Sequence, residues 1–183
     1  MTESDLRAAQ RRHVFYNQAV NVTWALLGFA PLCGFWLQAW HPGWFTLLAI
    51  VSALGWWLPA SVWQWGQTPE AYHRLGLRTV KRFTQDGDLI HRALRRKFPQ
   101  YRPADPARLI RRTLTTGRVN ETFHQLCFLF FLLSSGYALG RGSVGWAAWI
   151  TVANVVFNLY PIFLQQYNRL RLHRLRARYP AAF

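Results

Sequence analysis

Acidic residues are scarce in this chain: Asp and Glu number 7 in 183 residues, against 22 Lys and Arg, for a formal net charge of +15. Asp, Glu, Lys and Arg are absent altogether from residues 13–69, 122–140 and 142–168. Charged residues make up only 16% of the chain, whereas a soluble globular domain carries about 25% along its length. That distribution excludes an ordinary soluble domain, and a 51% hydrophobic content excludes disorder. Cysteine is nearly missing as well. Cys33 and Cys127 both lie in apolar stretches, so a disulfide-built secreted scaffold is excluded.

What is present instead is long apolar sequence. A positive surplus first suggests nucleic acid, but proteins that bind it place Lys and Arg on a soluble fold. Here four stretches, 19–40, 44–65, 122–140 and 143–167, are long enough to cross a bilayer, which takes about 20 apolar residues each. Arg141 is the only basic residue in the short turns joining spans one to two and three to four. The other basic residues fall in the N-terminus, segment 66–121 and the C-terminal tail, which is the positive-inside pattern. It predicts a multi-pass protein of the cell (inner) membrane with both termini and 66–121 in the cytoplasm. The lipid bilayer is then the expected partner, and nucleic acid is not. Arg11 and Arg12 precede an apolar run as in a signal peptide, but the run is too long and no small-residue cleavage site follows it. Trp36, Trp40, Trp44 and Trp146 are expected at the outer interface, and Tyr16, Trp63, Trp65 and Tyr167 at the inner one.

The expected fold class is all-α: a polytopic membrane protein with four transmembrane helices in two hairpins and amphipathic cytoplasmic helices between them, forming a single domain over 1–183. In the central segment, Asp86 or Asp88 is placed to cap a helix running through Phe98. Leu89, Ile90, Ala93, Leu94 and Phe98 form its apolar stripe and Arg92, Arg95, Arg96 and Lys97 face away, so it is expected on the membrane surface. Pro99 and Pro103 break it. Asp105 and Pro106 then read as an N-cap and first-turn proline of a helix that runs into the third span. A protein of this size is compatible with homo-oligomers.

The candidates for chemistry lie where that helix meets the membrane. Arg118, Glu121 and His124 recur every third residue and share one side of a helix. A Glu can hold an imidazole in one tautomer, and the neutral His can take a proton from a hydroxyl. The blander reading has Glu121 and His124 snorkelling to water beside Arg118. A di-metal site would need a second such motif and more carboxylates, so no metal is expected. On the fourth span Asn154, Asn158 and Gln165 form a polar stripe, with Asn168 slightly further round. Interhelical hydrogen bonds or a cavity lining both account for it.

Here the residues resemble a family. Asn158, Pro161, Gln165, Tyr167, Asn168, Arg169, Arg171 and Leu172 follow the C-terminal signature of the glycosyl-diaponeurosporenoate acyltransferases, small membrane enzymes of staphyloxanthin-type carotenoid synthesis. Pro69-Glu70-Ala71-Tyr72, then Phe83, Gly87 and Arg95-Arg96-Lys97, resemble its central segment. Thr116, Arg118, Glu121 and His124 resemble its Thr-x-Arg-x-Glu-x-x-His run. The resemblance spans about 69–175. One extra residue lies between Arg118 and Glu121, Gln166 stands where the family has Arg, and Gln125 where it commonly has Trp.

The resemblance implies transfer of a fatty acyl group to a hydroxyl of a lipophilic, glycosylated carotenoid-like acceptor. Acyl-CoA is the expected co-substrate, and no tightly bound cofactor is expected. Catalysis then falls to His124 as general base with Glu121 orienting it. Arg118, Arg169 and Arg171 would hold the donor's phosphates or thioester region. Asn158, Gln165 and Asn168 would donate to the developing oxyanion, and Tyr167 belongs to the same binding run. Cys127 lacks a basic neighbour, so direct transfer is preferred to an acyl-enzyme. Two other readings compete: a non-catalytic accessory subunit of a membrane complex, and an anionic-lipid anchor using the 74–118 basic face with Arg95, Arg96 and Lys97.

Overall fold

A computed structural model describes residues 2–77, 87–101 and 106–178, with the main chain alone at 60, 106–115, 175, 176 and 178. Phe83, Asp86, Pro103 and Asp105 lie outside the described residues. Among the described residues all regular structure is helical.

Helix α1 (Glu3–Gln38) begins with a capping box, in which Thr2 accepts from the Asp5 amide and Asp5 from the Thr2 amide, and it carries Pro31 in its interior. Proline is tolerated in a membrane helix where neighbouring groups re-satisfy the backbone. A short turn leads to α2 (Pro42–Leu54), a 3-10 turn (Gly55–Trp57) and a four-residue helix, α3 (Ala60–Trp63). Next come α4 (Pro69–His73) and α5 (Asp88–Lys97). Helix α6 (Pro106–Gly140) is 35 residues long, and it does run from the basic segment into the third span. After it, Gly142 takes φ +76°, with Ser143 N–H donating to Ala138 O and Gly142 N–H to Leu139 O, which closes the helix and reverses the chain. Helix α7 (Val144–Asn154), a π-helical turn (Val155–Leu159) and α8 (Tyr160–Arg178) then form one continuous rod.

Three of these helices are long and apolar enough to cross a membrane: Glu3–Gln38, Thr116–Gly140 and Val144–Arg174. The second expected span is different, because only Pro42–Trp57 forms a shorter apolar helix. At 1.5 Å per residue the 13 residues of α2 rise about 20 Å, short of a ~30 Å hydrocarbon core. Pro59 ends it: the chain turns extended at Leu58 (ψ 133°) and Pro59 (ψ 145°), as residues at and before a proline prefer. The rest of the expected 44–65 span is a linker that folds back over α6 and α8.

Packing also departs from two separate hairpins. Helices α6 and α7 do pack as a pair, whereas α1 lies against α7 and α2 against α6. A Cβ at Gly28 would sit 2.8 Å from Phe157, and one at Gly34 would sit 2.7 Å from Trp146, so glycine permits the close approach of α1 to the α7–α8 rod. Trp36, expected at the outer interface, is instead core. It stacks on Tyr137 at 5.3 Å, and its indole donates to Ser134 Oγ at 3.2 Å. Leu26, Leu27, Leu37, Ile50, Leu54 and Trp149 are exposed, as lipid-facing side chains should be.

Helix α5 also differs from expectation. Its N-cap is Gly87, Asp88 is its first residue and it ends at Lys97. Its buried face, Ile90 and Leu94, packs with Ala9, Tyr101, Tyr16 and Val20 rather than lying open to lipid. Arg92, Arg95, Arg96 and Lys97 remain exposed.

Candidate active site

Helix α6 runs antiparallel to the α7–α8 rod, so Ser135 meets Ala147, Phe128 meets Asn154, and Glu121 meets Gln166 and Arg169. The last of these levels is where the linker docks, and the polar chemistry is concentrated there.

Glu121 is buried at 6% exposure within a predominantly apolar bundle. A carboxylate in that position needs a partner. Arg169 Nη1 donates to its Oε2 in a short ion pair, and Gln166 Nε2 donates to its Oε1 at 3.1 Å. Gln166 is fully buried and ties the network to the linker: its Nε2 also donates to Trp63 O at 2.8 Å, and its Oε1 accepts from Trp65 N at 3.4 Å. Tyr72 Oη lies 2.9 Å from Gln166 Oε1 and 3.0 Å from Gly66 O, sharing one proton between them, and accepts from Gly66 N at 3.1 Å. Burial pushes the Tyr72 phenol above its ordinary range, which keeps that proton in place. Arg169 Nη2 donates to Gln64 Oε1 at 2.8 Å, closing the ring of contacts.

One turn further into the bundle lies the second group. His124 Nδ1 is 3.4 Å from Asn158 Oδ1, Asn158 Nδ2 donates to Asn154 Oδ1 at 2.9 Å, and Asn154 Nδ2 donates to Phe128 O at 3.0 Å. The direction of this chain follows from its last member. A main-chain carbonyl only accepts, so Asn154 presents its NH2 to Phe128 and its oxygen to Asn158, which in turn presents its oxygen to His124. Nδ1 is therefore the protonated nitrogen of a neutral imidazole, and Nε2 carries the lone pair.

Several expectations are thereby corrected. Glu121 does not orient His124; both its oxygens are held by Arg169 and Gln166, and Asn158 is the partner of the imidazole. Asn158, expected as an oxyanion donor, gives one amide hydrogen to Asn154 and presents its oxygen to His124. The stripe read as Asn154, Asn158 and Gln165 continues through Gln166, because the π-helical turn inserts one residue and rotates the following helix by about one residue's 100°. Gln165 is displaced to the edge and lies over Gly117, where a Cβ would come 3.3 Å from its Oε1. Tyr167 packs with the Tyr72, Leu77, Ile162 and Phe163 cluster, its ring 5.9 Å from that of His73. Asn168 is half-buried on α8, while Arg118 and Arg171 are exposed. Gln64 escaped the reading of the sequence, carrying no signal beyond its place before Gly66 and Thr68-Pro69.

One donor is left over. The indole Nε1 of Trp63 is buried and, among the described residues, has no hydrogen-bond acceptor. Leaving such a group unpaired costs about 1–3 kcal/mol.

With this geometry in view, the comparisons with known proteins can be placed on it. The family model for glycosyl-4,4'-diaponeurosporenoate acyltransferase matches residues 54–178. The chain belongs to this family. As a member of it, the protein is an acyltransferase of a carotenoid-biosynthesis family, and its long apolar helices make it a membrane protein. The matched region begins where α2 breaks and takes in the docked linker, the Glu121 network and the amide chain to His124. Comparisons with curated proteins and with solved structures found no match.

Proposed function

We propose that this acyltransferase moves a fatty acyl group from acyl-CoA to a hydroxyl of a lipophilic, glycosylated carotenoid-like acceptor, with His124 as the general base. The observation that carries the reading is the chain from Phe128 O through Asn154 and Asn158 to His124 Nδ1, which leaves Nε2 as a proton acceptor. Such a chain does for an imidazole what the third member of a catalytic triad does. The acceptor hydroxyl gives its proton to Nε2 as its oxygen bonds to the thioester carbon. The C–S bond then breaks and the thiolate leaves with the proton returned by His124.

Apolar acyl and acceptor chains suit the lipid-facing surfaces of α1, α6 and the α7–α8 rod. The phosphates of acyl-CoA require cations near the same end, and exposed Arg118 and Arg171 supply them. Arg169 is held by Glu121 and Gln64, so its role is to fix α8 against the linker. Gln165, Tyr167 and Asn168 lie on the same stretch of α8 and are assigned to the substrate groups nearest the interface. Because acyl-CoA is a cytoplasmic donor, the reading requires this end, and with it both termini, to face the cytoplasm of a cell membrane, as the positive-inside pattern predicts.

The test compares lipid extracts, by mass spectrometry, from cells carrying the wild type or His124→Ala at equal membrane abundance. A species heavier by one fatty acyl group is expected with the wild type alone, and it identifies the acceptor. Identical extracts in a host that supplies glycosylated carotenoids and other glycolipids would remove the basis for His124 as the base.

A further inference from the structure

The mechanism above needs a donor for the negative charge that develops on the thioester carbonyl oxygen, and Asn158 is placed to orient His124, its oxygen on Nδ1 and one amide hydrogen on Asn154. We infer that the Trp63 indole N–H is that donor, so that Trp63 is a catalytic residue which hydrogen-bonds the acyl carbonyl oxygen. The inference rests on the acyl-thioester reading and adds to it a group with no other task in the fold.

Position supports it from three directions. The Trp63 main chain is fixed at the Glu121 level, because Gln166 Nε2 donates both to Trp63 O at 2.8 Å and to Glu121 Oε1 at 3.1 Å. The Trp63 ring meets Phe128 edge-on at 6.0 Å between centroids. Glu121, His124 and Phe128 recur every three to four residues along one face of α6. A side chain rooted beside Glu121 and ending on Phe128 therefore passes the turn that carries His124. Its N–H is buried without an acceptor, in a bundle where the other buried side-chain donors among the described residues are satisfied.

Chemistry supports it as well. An indole N–H donates and never accepts, cannot compete as a nucleophile and stays neutral throughout. In a site closed to water, a fixed donor aimed at developing charge gives more to the transition state than to the ground state. The hydroxyl proton goes to His124 Nε2, the carbonyl oxygen takes up negative charge against Trp63 Nε1–H, and as the C=O bond re-forms the C–S pair leaves with sulfur, to which His124 returns the proton. Trp63 neither gains nor loses a proton in this cycle.

The test uses the full-length protein in lipid nanodiscs, with Trp63→Phe and a second variant carrying benzothienylalanine at 63, which keeps the indole outline with sulfur in place of N–H. Two unreactive donors serve as probes: a ketone analogue of acyl-CoA with CH2 in place of sulfur, and a thioether analogue with CH2 in place of the carbonyl. Removing one oxyanion donor lowers kcat by about 10²–10³-fold, and that loss is expected in both variants with KM little changed. The wild type should bind the ketone more tightly than the thioether, and both variants should lose that preference. Unchanged kcat in the benzothienylalanine variant, or a retained preference for the ketone, would overturn the assignment. A wild type that binds neither analogue and transfers no acyl group from acyl-CoA overturns the donor reading beneath it, an outcome separate from the first two.

Discussion

The seam between α6 and the α7–α8 rod uses polar side chains at both ends, and it uses them differently. Toward the turn at Gly142, Ser135 Oγ lies 2.9 Å from Ala147 O and 2.7 Å from Thr151 Oγ1, and Thr151 also lies 2.8 Å from Ala147 O. Around them Phe35, Trp36, Phe131 and Ile150 close an apolar core. Ser135 and Thr151 are short, neutral and satisfied within the helix pair, which is what interhelical hydrogen bonding in a membrane requires. Toward the chain termini the same two helices carry a carboxylate, a guanidinium and an imidazole, and need a third element, the 63–72 linker, to satisfy them. Even then one donor, Trp63 Nε1, is left without an acceptor among the described residues. Hydroxyls returned to nearby carbonyls hold helices together, whereas charge and leftover donors inside a membrane protein mark the place where something else must bind.

The largest expected effect tests that contrast at Glu121. Glu121→Ala leaves Arg169 uncompensated in a mostly buried position, and breaking a buried pair in this way costs about 3–5 kcal/mol. Thermal unfolding of the purified protein in detergent should show it as a fall in midpoint, accompanied by loss of turnover as the linker detaches. Glu121→Gln keeps an acceptor for Gln166 and should recover part of both. If Glu121→Ala unfolds with the wild-type midpoint, the linker is held by something other than this network.

Asn158→Ala is the next largest and separates positioning from folding. A positioned general base contributes about 10²–10⁴-fold, so loss of its orienter should lower kcat by about the lower end of that range, with KM little changed. The pH profile of kcat should change in shape, because Nε2 is no longer held as the lone-pair nitrogen. A mere packing role would leave that profile as it is.

How much of this was legible from residues alone follows the same division. Blocks without charge marked the membrane helices, and the run from Pro106 into the third span was readable because nothing in it breaks a helix. The second span was misread because hydropathy sums over Leu58-Pro59 without registering that proline ends the helix there. Glu121 and His124 were found by their cost in a membrane. Their partners were not, because spacing on one helix says who is adjacent and not which group on a distant element competes for the carboxylate. Arg169, 48 residues away, wins it. The π-helical turn was invisible to a 3.6-residue count, and so Gln165 was chosen where Gln166 belongs.

The turn end of the seam should behave in the opposite way to the terminal end. Ser135→Ala removes contacts to Thr151 and Ala147, and such membrane hydrogen bonds average about 0.6 kcal/mol. The thermal midpoint should fall slightly and acyl transfer should stay at the wild-type level. A loss of turnover comparable to that of Asn158→Ala would erase the distinction between the two ends.

The smallest effect belongs to the second ion pair of α8, Glu70 with Arg174. Arg174 Nη1 and Nη2 lie 2.5 Å and 2.9 Å from the two Glu70 oxygens, the same pairing of chemistries as Glu121 with Arg169 but on the exposed surface. The guanidinium holds the Glu70 carboxyl down at about 2, below its ordinary 4.5. A lowered carboxyl contributes stability above its unfolded value and loses it as pH falls through the folded one, so this pair's contribution is full above about 4.5 and gone below about 2. Water and salt screen an exposed pair, so Arg174→Ala should barely move the midpoint at neutral pH, and the difference from wild type should shrink with added salt and vanish at low pH. Measuring midpoints of Arg174→Ala and Glu121→Ala across salt concentrations then isolates burial as the variable. The exposed pair should respond to salt and the buried one should not, and equal salt responses would mean that water reaches Glu121.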